Sequence, residues 1–236
     1  MKRVLLFLLV MTMVLGSVPA AMAAEAQPEA KVSKVNARIT AYTGYLKELF
    51  DDTDKGRISH VGIADINKDY QPELFYILRE KSGLSQFHFC RYEAEEVAEY
   101  DIETNYIGIN PTGIGLERRN RKGTSEHCWV LTSSGKNPNK YSEKLWNIFD
   151  RADSSLNNEV KFRRAWKKNA NRYFIDEEET VKSAYIDELD CFERTWPLAS
   201  DRHYRNRGFI RKVSSPRSWT SVRRALSYAA NAWMAS

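Results

Sequence analysis

Ile63-Ala64-Asp65-Ile66-Asn67-Lys68-Asp69-Tyr70-Gln71-Pro72-Glu73-Leu74-Phe75-Tyr76-Ile77-Leu78 is an apolar run, a tight acidic turn and a second apolar run. Short apolar runs broken by Asn, Asp and Pro read as two strands of a hairpin. The strands are expected at Arg57–Ala64 and Glu73–Arg79. Both are apolar on their two faces in places, which places them centrally in a sheet. In the turn, Asp65, Asn67, Asp69 and Glu73 stand at alternating offsets. A curled loop would aim these oxygens at one centre, with the Gln71 carbonyl added, as a hard cation such as Ca²⁺ requires. Two residues depart from the EF-hand loop: Tyr70 stands where Gly is usual, and Tyr76 where the bidentate Glu belongs. An EF-hand is therefore excluded.

Outward from this hairpin the periodicity changes. Upstream, Val32, Val35, Ile39, Tyr42, Leu46 and Leu49 recur every three or four residues, one stripe of an amphipathic helix beginning near Ser33. Downstream, Gln86–Tyr92 alternates, with Phe87 and Phe89 on one face and His88, Cys90 and Tyr92 on the other. Val97–Ile102, Gly113–Arg118, Glu126–Thr132, Lys144–Phe149 and Val160–Trp166 are further strand candidates. Asp176-Glu-Glu-Glu179 reads as the acidic start of a helix carrying Val181, Tyr185, Leu189, Phe192 and Trp196. Ser215-Pro216 reads as the start of another, with Trp219, Val222, Leu226, Ala229 and Trp233 as its stripe. The expected class is α+β: an antiparallel meander of about six strands with one N-terminal and two C-terminal helices.

The first residues read as a secretory signal. Lys2 and Arg3 form a positive start, Val4–Leu15 is apolar, and Ala21-Met22-Ala23 is a small-x-small cleavage site. The apolar stretch falls short of the ~20 residues a membrane-spanning helix needs. The expected organisation is a signal peptide over 1–23, a linker over 24–32, helix plus meander over 33–175, and a helical segment over 176–236 on the same domain. The mature chain is then expected to lie outside the cytoplasm, secreted or in the cell envelope, with no transmembrane segment. Losing Lys2 and Arg3 lowers the formal charge from +5 to +3.

The remaining charge is uneven. Lys161, Arg163, Arg164, Lys167, Lys168 and Arg172 form one basic run. Arg202, Arg205, Arg207, Arg211, Lys212, Arg217, Arg223 and Arg224 make the C-terminal end basic. Such runs are solvated faces or a site for an anionic polymer; no nucleic-acid motif accompanies them. Three cysteines are too few for a disulfide scaffold. Cys90 and Cys128, both in strand-like segments, are the pair best placed for one bridge. Buried free thiols are an equal reading.

The residue patterns of familiar catalysts are missing. The histidines are His60, His88, His127 and His203, with no HExxH and no i,i+4 pair. His60 and His88, inside strands, read first as satisfied core histidines. No G-x-S-x-G, Ser-x-x-Lys, phosphate loop or dinucleotide fingerprint is present. Trp129, Trp146, Trp166, Trp196, Trp219 and Trp233 read as core more than as a sugar-stacking platform.

Asp65-Ile-Asn67-Lys-Asp69-Tyr-Gln-Pro-Glu73-Leu74 resembles the D-x-[DN]-x-D-G-x-x-[DE]-L calcium loop of integrin-like FG-GAP repeats. A helix before the loop and a meander after it also look like many exported bacterial proteins of unassigned function, particularly of Gram-positive type. The resemblance implies a structural Ca²⁺ held by Asp65, Asn67, Asp69, Gln71 and Glu73. It covers ten residues in one copy, so a propeller of repeats is not implied. The expectation for function is an exported, non-enzymatic binding or structural domain with an envelope or extracellular ligand. The alternatives are an envelope hydrolase with an acid pair and a binder of anionic polymer.

Overall fold

In the computed structural model the described residues are 28–52, 54–66, 69–102, 105–137, 141–152, 155–167, 170–198 and 208–235. The expected signal segment, Asn67 of the turn, and Arg202, Arg205 and Arg207 of the C-terminal basic run lie outside them. The chain forms two compact units, Met1–Ala37 and Arg38–Ser236, and both sheets belong to the second. Helix α1 runs Pro28–Asp51, so it begins inside the stretch expected to be a linker. Strands β1 (Arg57–Ala64), β2 (Glu73–Arg79), β3 (Leu84–Glu93), β4 (Glu96–Glu99) and β5 (Tyr106–Ile109) follow. Next come β6 (Pro111–Asn120), β7 (His127–Asn137), β8 (Tyr141–Ala152), β9 (Ser155–Lys167), β10 (Ala170–Ile175) and β11 (Glu178–Thr180). Helix α2 (Lys182–Thr195), strand β12 (Phe209–Lys212) and helix α3 (Trp219–Met234) complete the order.

The class is α+β with one helix before the strands and two near the C-terminus, as the periodicity predicts. β1 and β2 have the bounds read from the sequence. The strands form two antiparallel sheets. The first has the order β12-β1-β2-β3-β4 with β5 also paired to β3; the second has the order β11-β10-β9-β8-β7-β6.

Residues of period two decide how the sheets meet. Phe75, Ile77, Phe87 and Phe89 of the first sheet share one buried cluster with Leu116, Trp129 and Leu131 of the second. Contact is close enough that a Cβ on Gly135 of β7 would stand 2.2 Å from the Ile109 carbonyl oxygen. The opposite face of the second sheet buries Cys128, Val130, Phe162 and Tyr173 against Tyr185 of α2. On the first sheet, α3 packs against β1 and β12 and buries Val222, Ala225, Leu226, Ala229 and Trp233. From Arg38 onward α1 buries Tyr42, Leu46 and Leu49, the stripe read from the sequence. The Tyr42 hydroxyl donates to the Pro72 carbonyl at 2.9 Å, and the rings of Phe50 and Trp219 lie 5.8 Å apart.

Three expectations are corrected. Asp176 does not open a helix: Asp176 and Glu177, at φ 48° and 65°, form the two-residue turn between β10 and β11. That turn type demands positive φ at both positions, which Asp tolerates. Helix α2 starts instead at Lys182 after Val181. Ser215 is not the cap of α3, which follows Ser218, with Pro216 in the turn before it. The strands are about twice as many as expected: β8 and β9 contain the candidates Lys144–Phe149 and Val160–Trp166, whereas the short β5, β10, β11 and β12 carry too little alternation to read. Of the two readings of the cysteines, the structure has free thiols: Cys90 and Cys128 are free and buried, and Cys191 is free and exposed. Cys90 pairs in register with Leu74 of the first sheet, whereas Cys128 lies in the cluster under α2.

Candidate binding site

The acidic turn is a polar structure with an internal use. Glu73, 3% exposed, accepts the Ile66 amide at 2.8 Å on its Oε2, while the Ile66 carbonyl accepts the Trp129 indole N–H at 3.2 Å. The buried Asp65 accepts the Tyr70 amide at 3.2 Å, and Asp69 accepts the Gln71 amide at 2.7 Å. The side-chain oxygen of Gln71 accepts from Arg38 of α1. Of the residues expected around Ca²⁺, the structure thus brings Asp65, Asp69 and Glu73 into one turn whose amides they cap. Among the described residues no three His, Cys, Asp or Glu side chains converge as metal ligands. Tyr70, the departure from the motif, sits at φ 61°, the backbone for which Gly is the usual choice.

A second constellation, which sequence reading missed, lies between α1 and the outer face of the first sheet. Here Tyr76 of β2 and His88 of β3 are register partners, and their rings stack at 4.7 Å and 6°. Glu99 lies opposite Cys90 in the β3–β4 pair and so on the same face. Both Tyr45 and Tyr76 donate their hydroxyls to Glu99 Oε1, and His88 Nδ1 stands 3.4 Å from Glu99 Oε2. The two hydroxyls lie 3.3 Å apart. Four elements, α1, β2, β3 and β4, therefore meet on one carboxylate.

Electrostatics follow from this geometry. Burial alone would raise the Glu99 pKa, but the donors His88, Tyr45 and Tyr76 outweigh it and hold the carboxyl at about 2. The tyrosines move the other way: burial first, and then the neighbouring Cys90 and Glu99, push both phenols far above their ordinary value. Burial and the Glu99 charge likewise raise the Cys90 thiol, so it stays protonated. His60 lies elsewhere in the first sheet. It is 3% exposed with Nδ1 3.1 Å from the Ser59 hydroxyl, and burial, then Lys212 and Arg79, lower it to about 4. His60 is thus the satisfied core histidine that the sequence implied.

Beside the Glu99 cluster lies a cavity of about 410 Å³. Leu49 and Leu78 supply apolar lining, with Tyr45, Tyr76 and His88 at one side. Glu48, Asp52, Lys55 and Glu99 supply its charges. Lys55 pairs with Asp52 at 3.6 Å, with both side chains exposed.

Part of the basic run shares a face: Arg163 and Arg172 lie on one side of β9 and β10, both over the Phe174 ring, with Arg164 on the other side. Strand alternation divides the run: Arg163 is the register partner of Phe174 and Arg164 the partner of Tyr173, on opposite faces of β9 and β10. Arg163 stacks on Phe174 at 3.9 Å, and Arg172 pairs with Glu179 at 2.5 Å. Of the tryptophans, Trp129 and Trp233 are buried, and Trp166, Trp196 and Trp219 are half-buried. Among the described residues no helix is long and apolar enough to cross a membrane. Comparison of the chain with protein-family models, curated proteins and solved structures finds no match.

The pH dependence of folding carries the signature of the buried His60 and the partly exposed Glu99. His60 is depressed on folding, so between pH 6.5 and 4 the unfolded chain binds the extra proton and stability falls as pH falls. Glu99 is also depressed, so its contribution is present above pH 4.5 and is lost as pH falls toward about 2. Urea midpoints against pH are expected to flatten in the upper window for His60→Gln and in the lower window for Tyr45→Phe. Profiles unchanged in both variants would refute the assignment.

Proposed function

We propose that this chain is a non-enzymatic binding module working outside the cytoplasm, with the cavity between α1 and the first sheet as its ligand site. The cavity carries the reading. Its volume of about 410 Å³ lies in the range of small-molecule sites, and it combines apolar lining with a few fixed polar groups. Glu99 is better suited to binding than to proton transfer, since a carboxyl held at about 2 is a weak base at neutral pH. The neighbouring Cys90 thiol, protonated and buried, is equally unsuited to act as a nucleophile. The hydrolase alternative accordingly has less support; the anionic-polymer alternative is left with Arg163 and Arg172 on one strand face, each stacked on Phe174, and Arg172 already paired with Glu179. Export is supported by Lys2, Arg3, the apolar Val4–Leu15 and Ala21-Met22-Ala23. Mass spectrometry of the exported chain is expected to place its first residue near Ala24.

A chemical-shift fragment screen on the chain from Ala24 tests the site. Bound fragments are expected to move the amides of Tyr45, Leu49, His88 and Glu99, and Leu49→Trp, which fills the cavity, is expected to abolish those shifts. Fragments that bind only elsewhere, or that bind the folded Leu49→Trp variant equally well, would overturn the proposal.

A structural Ca²⁺ at Asp65, Asn67, Asp69, Gln71 and Glu73 is a separate proposal with narrower support. Tyr70 adopts the positive φ that a Ca²⁺ loop reserves for Gly at that position. A folded-state ligand must raise the melting temperature. Ca²⁺ is expected to stabilise the wild-type chain relative to chelator and to leave Asp65→Ala unchanged. Equal melting temperatures for the wild-type chain with Ca²⁺ and with chelator would dispose of this site.

A further inference from the structure

Resting on the proposed cavity site, we infer that its ligand class is an organic ammonium ion with an apolar body. Three features of the cavity point the same way. Its charged lining is three carboxylates, Glu48, Asp52 and Glu99, against one ammonium, Lys55, already paired with Asp52. Glu99 remains ionised across the physiological range because His88, Tyr45 and Tyr76 hold its charge in place, so a cation meets a preformed anion that needs no reorganisation. The remaining lining, Leu49, Leu78, Tyr45, Tyr76 and His88, combines apolar surface with aromatic side chains, and tyrosine rings are among those that attract a cation.

The placement of the acids along α1 is an independent observation. Glu48 lies in the last turn of α1 and Asp52 one residue beyond it, and that turn contains no basic residue. The C-terminal end of a helix carries partial negative charge, so acids there are unfavourable and cations favourable. Lys47 reaches Asp51, which does not line the cavity, and Lys55 reaches Asp52. Glu48 has no ion pair among the described residues. A local rule broken at the rim of a cavity is expected where function requires it. A bound ammonium would relieve the repulsion that the free chain bears. The carboxylates line the cavity without converging on a metal centre, which suits a bulky, diffuse cation better than a chelated one.

The test uses the chain from Ala24 and three probes of similar shape: 2-phenylethylammonium, 2-phenylethanol and 3-phenylpropanoate. Chemical-shift titration is expected to show only the ammonium saturating Tyr45, Leu49 and Glu99. Its affinity is expected to fall about fivefold to tenfold in Glu48→Gln/Asp52→Asn, a pair of rim changes in the range of exposed charge interactions. It is also expected to weaken with added salt. Equal binding of 2-phenylethanol at those residues, or salt-independent binding that survives the double substitution, overturns the ammonium inference while the cavity stands as the ligand site. Binding of none of the three probes there overturns this inference too, and the fragment screen then reports separately on the cavity.

Discussion

The peptide of Ile66 ties the two sheets together. Its N–H is held by the buried Glu73 of the same hairpin and its carbonyl by the indole of Trp129, so the turn is bonded to its own strand on one side of the residue and to the second sheet on the other. Ile66 and Trp129 are each 1% exposed and share the central cluster. A buried peptide group without these partners would cost roughly 1–3 kcal/mol. That is a sizeable part of the about 5–15 kcal/mol by which a domain is stable. The turn is therefore acidic for a reason internal to the fold: its carboxylates cap amides that the tight backbone path leaves without strand partners.

Glu99 plays a comparable part on the outer face of the first sheet, but with a surplus. Its donors come from α1, β2 and β3, so the helix is held to the sheet by polar contacts as well as by Tyr42, Leu46 and Leu49. Beyond that cluster, Glu48 and Asp52 add negative charge where the helix dipole is already negative, beside a cavity that packing leaves open. Structural economy explains Glu99 clamped by its neighbours. It does not explain the extra acids, and that difference separates a polar cluster serving the fold from one suited to a ligand.

Legibility varied with the range of the signal. Apolar runs bounded by turn residues located β1 and β2, and local alternation placed Phe87 and Phe89 opposite His88 and Cys90. It failed at Asp176, because an acidic pair before a helical stripe also serves a two-residue hairpin turn, and the choice depends on β9 being available to pair with β10. Charge runs are ambiguous for a related reason: Arg163 and Arg164 are adjacent in the chain but lie on opposite faces of a strand, while Arg163 and Arg172 share one. The candidate cavity had no local signal. Tyr45, Tyr76, His88 and Glu99 come from four elements, and each is ordinary in its own segment.

By itself the sequence determined the mixed α+β class, the central hairpin around Asp65–Glu73 and the buried stripes of α1 and α3, because periodicity of 3.6 or 2 acts over a few neighbouring residues. Tertiary structure alone decided that the strands divide into two facing sheets and that the Ile66 peptide is shared by Glu73 and Trp129. It also decided that Tyr45, Tyr76 and His88 converge on Glu99 beside a cavity. Those outcomes depend on strand partners and helix placement far apart in the chain, which no local pattern of side chains encodes.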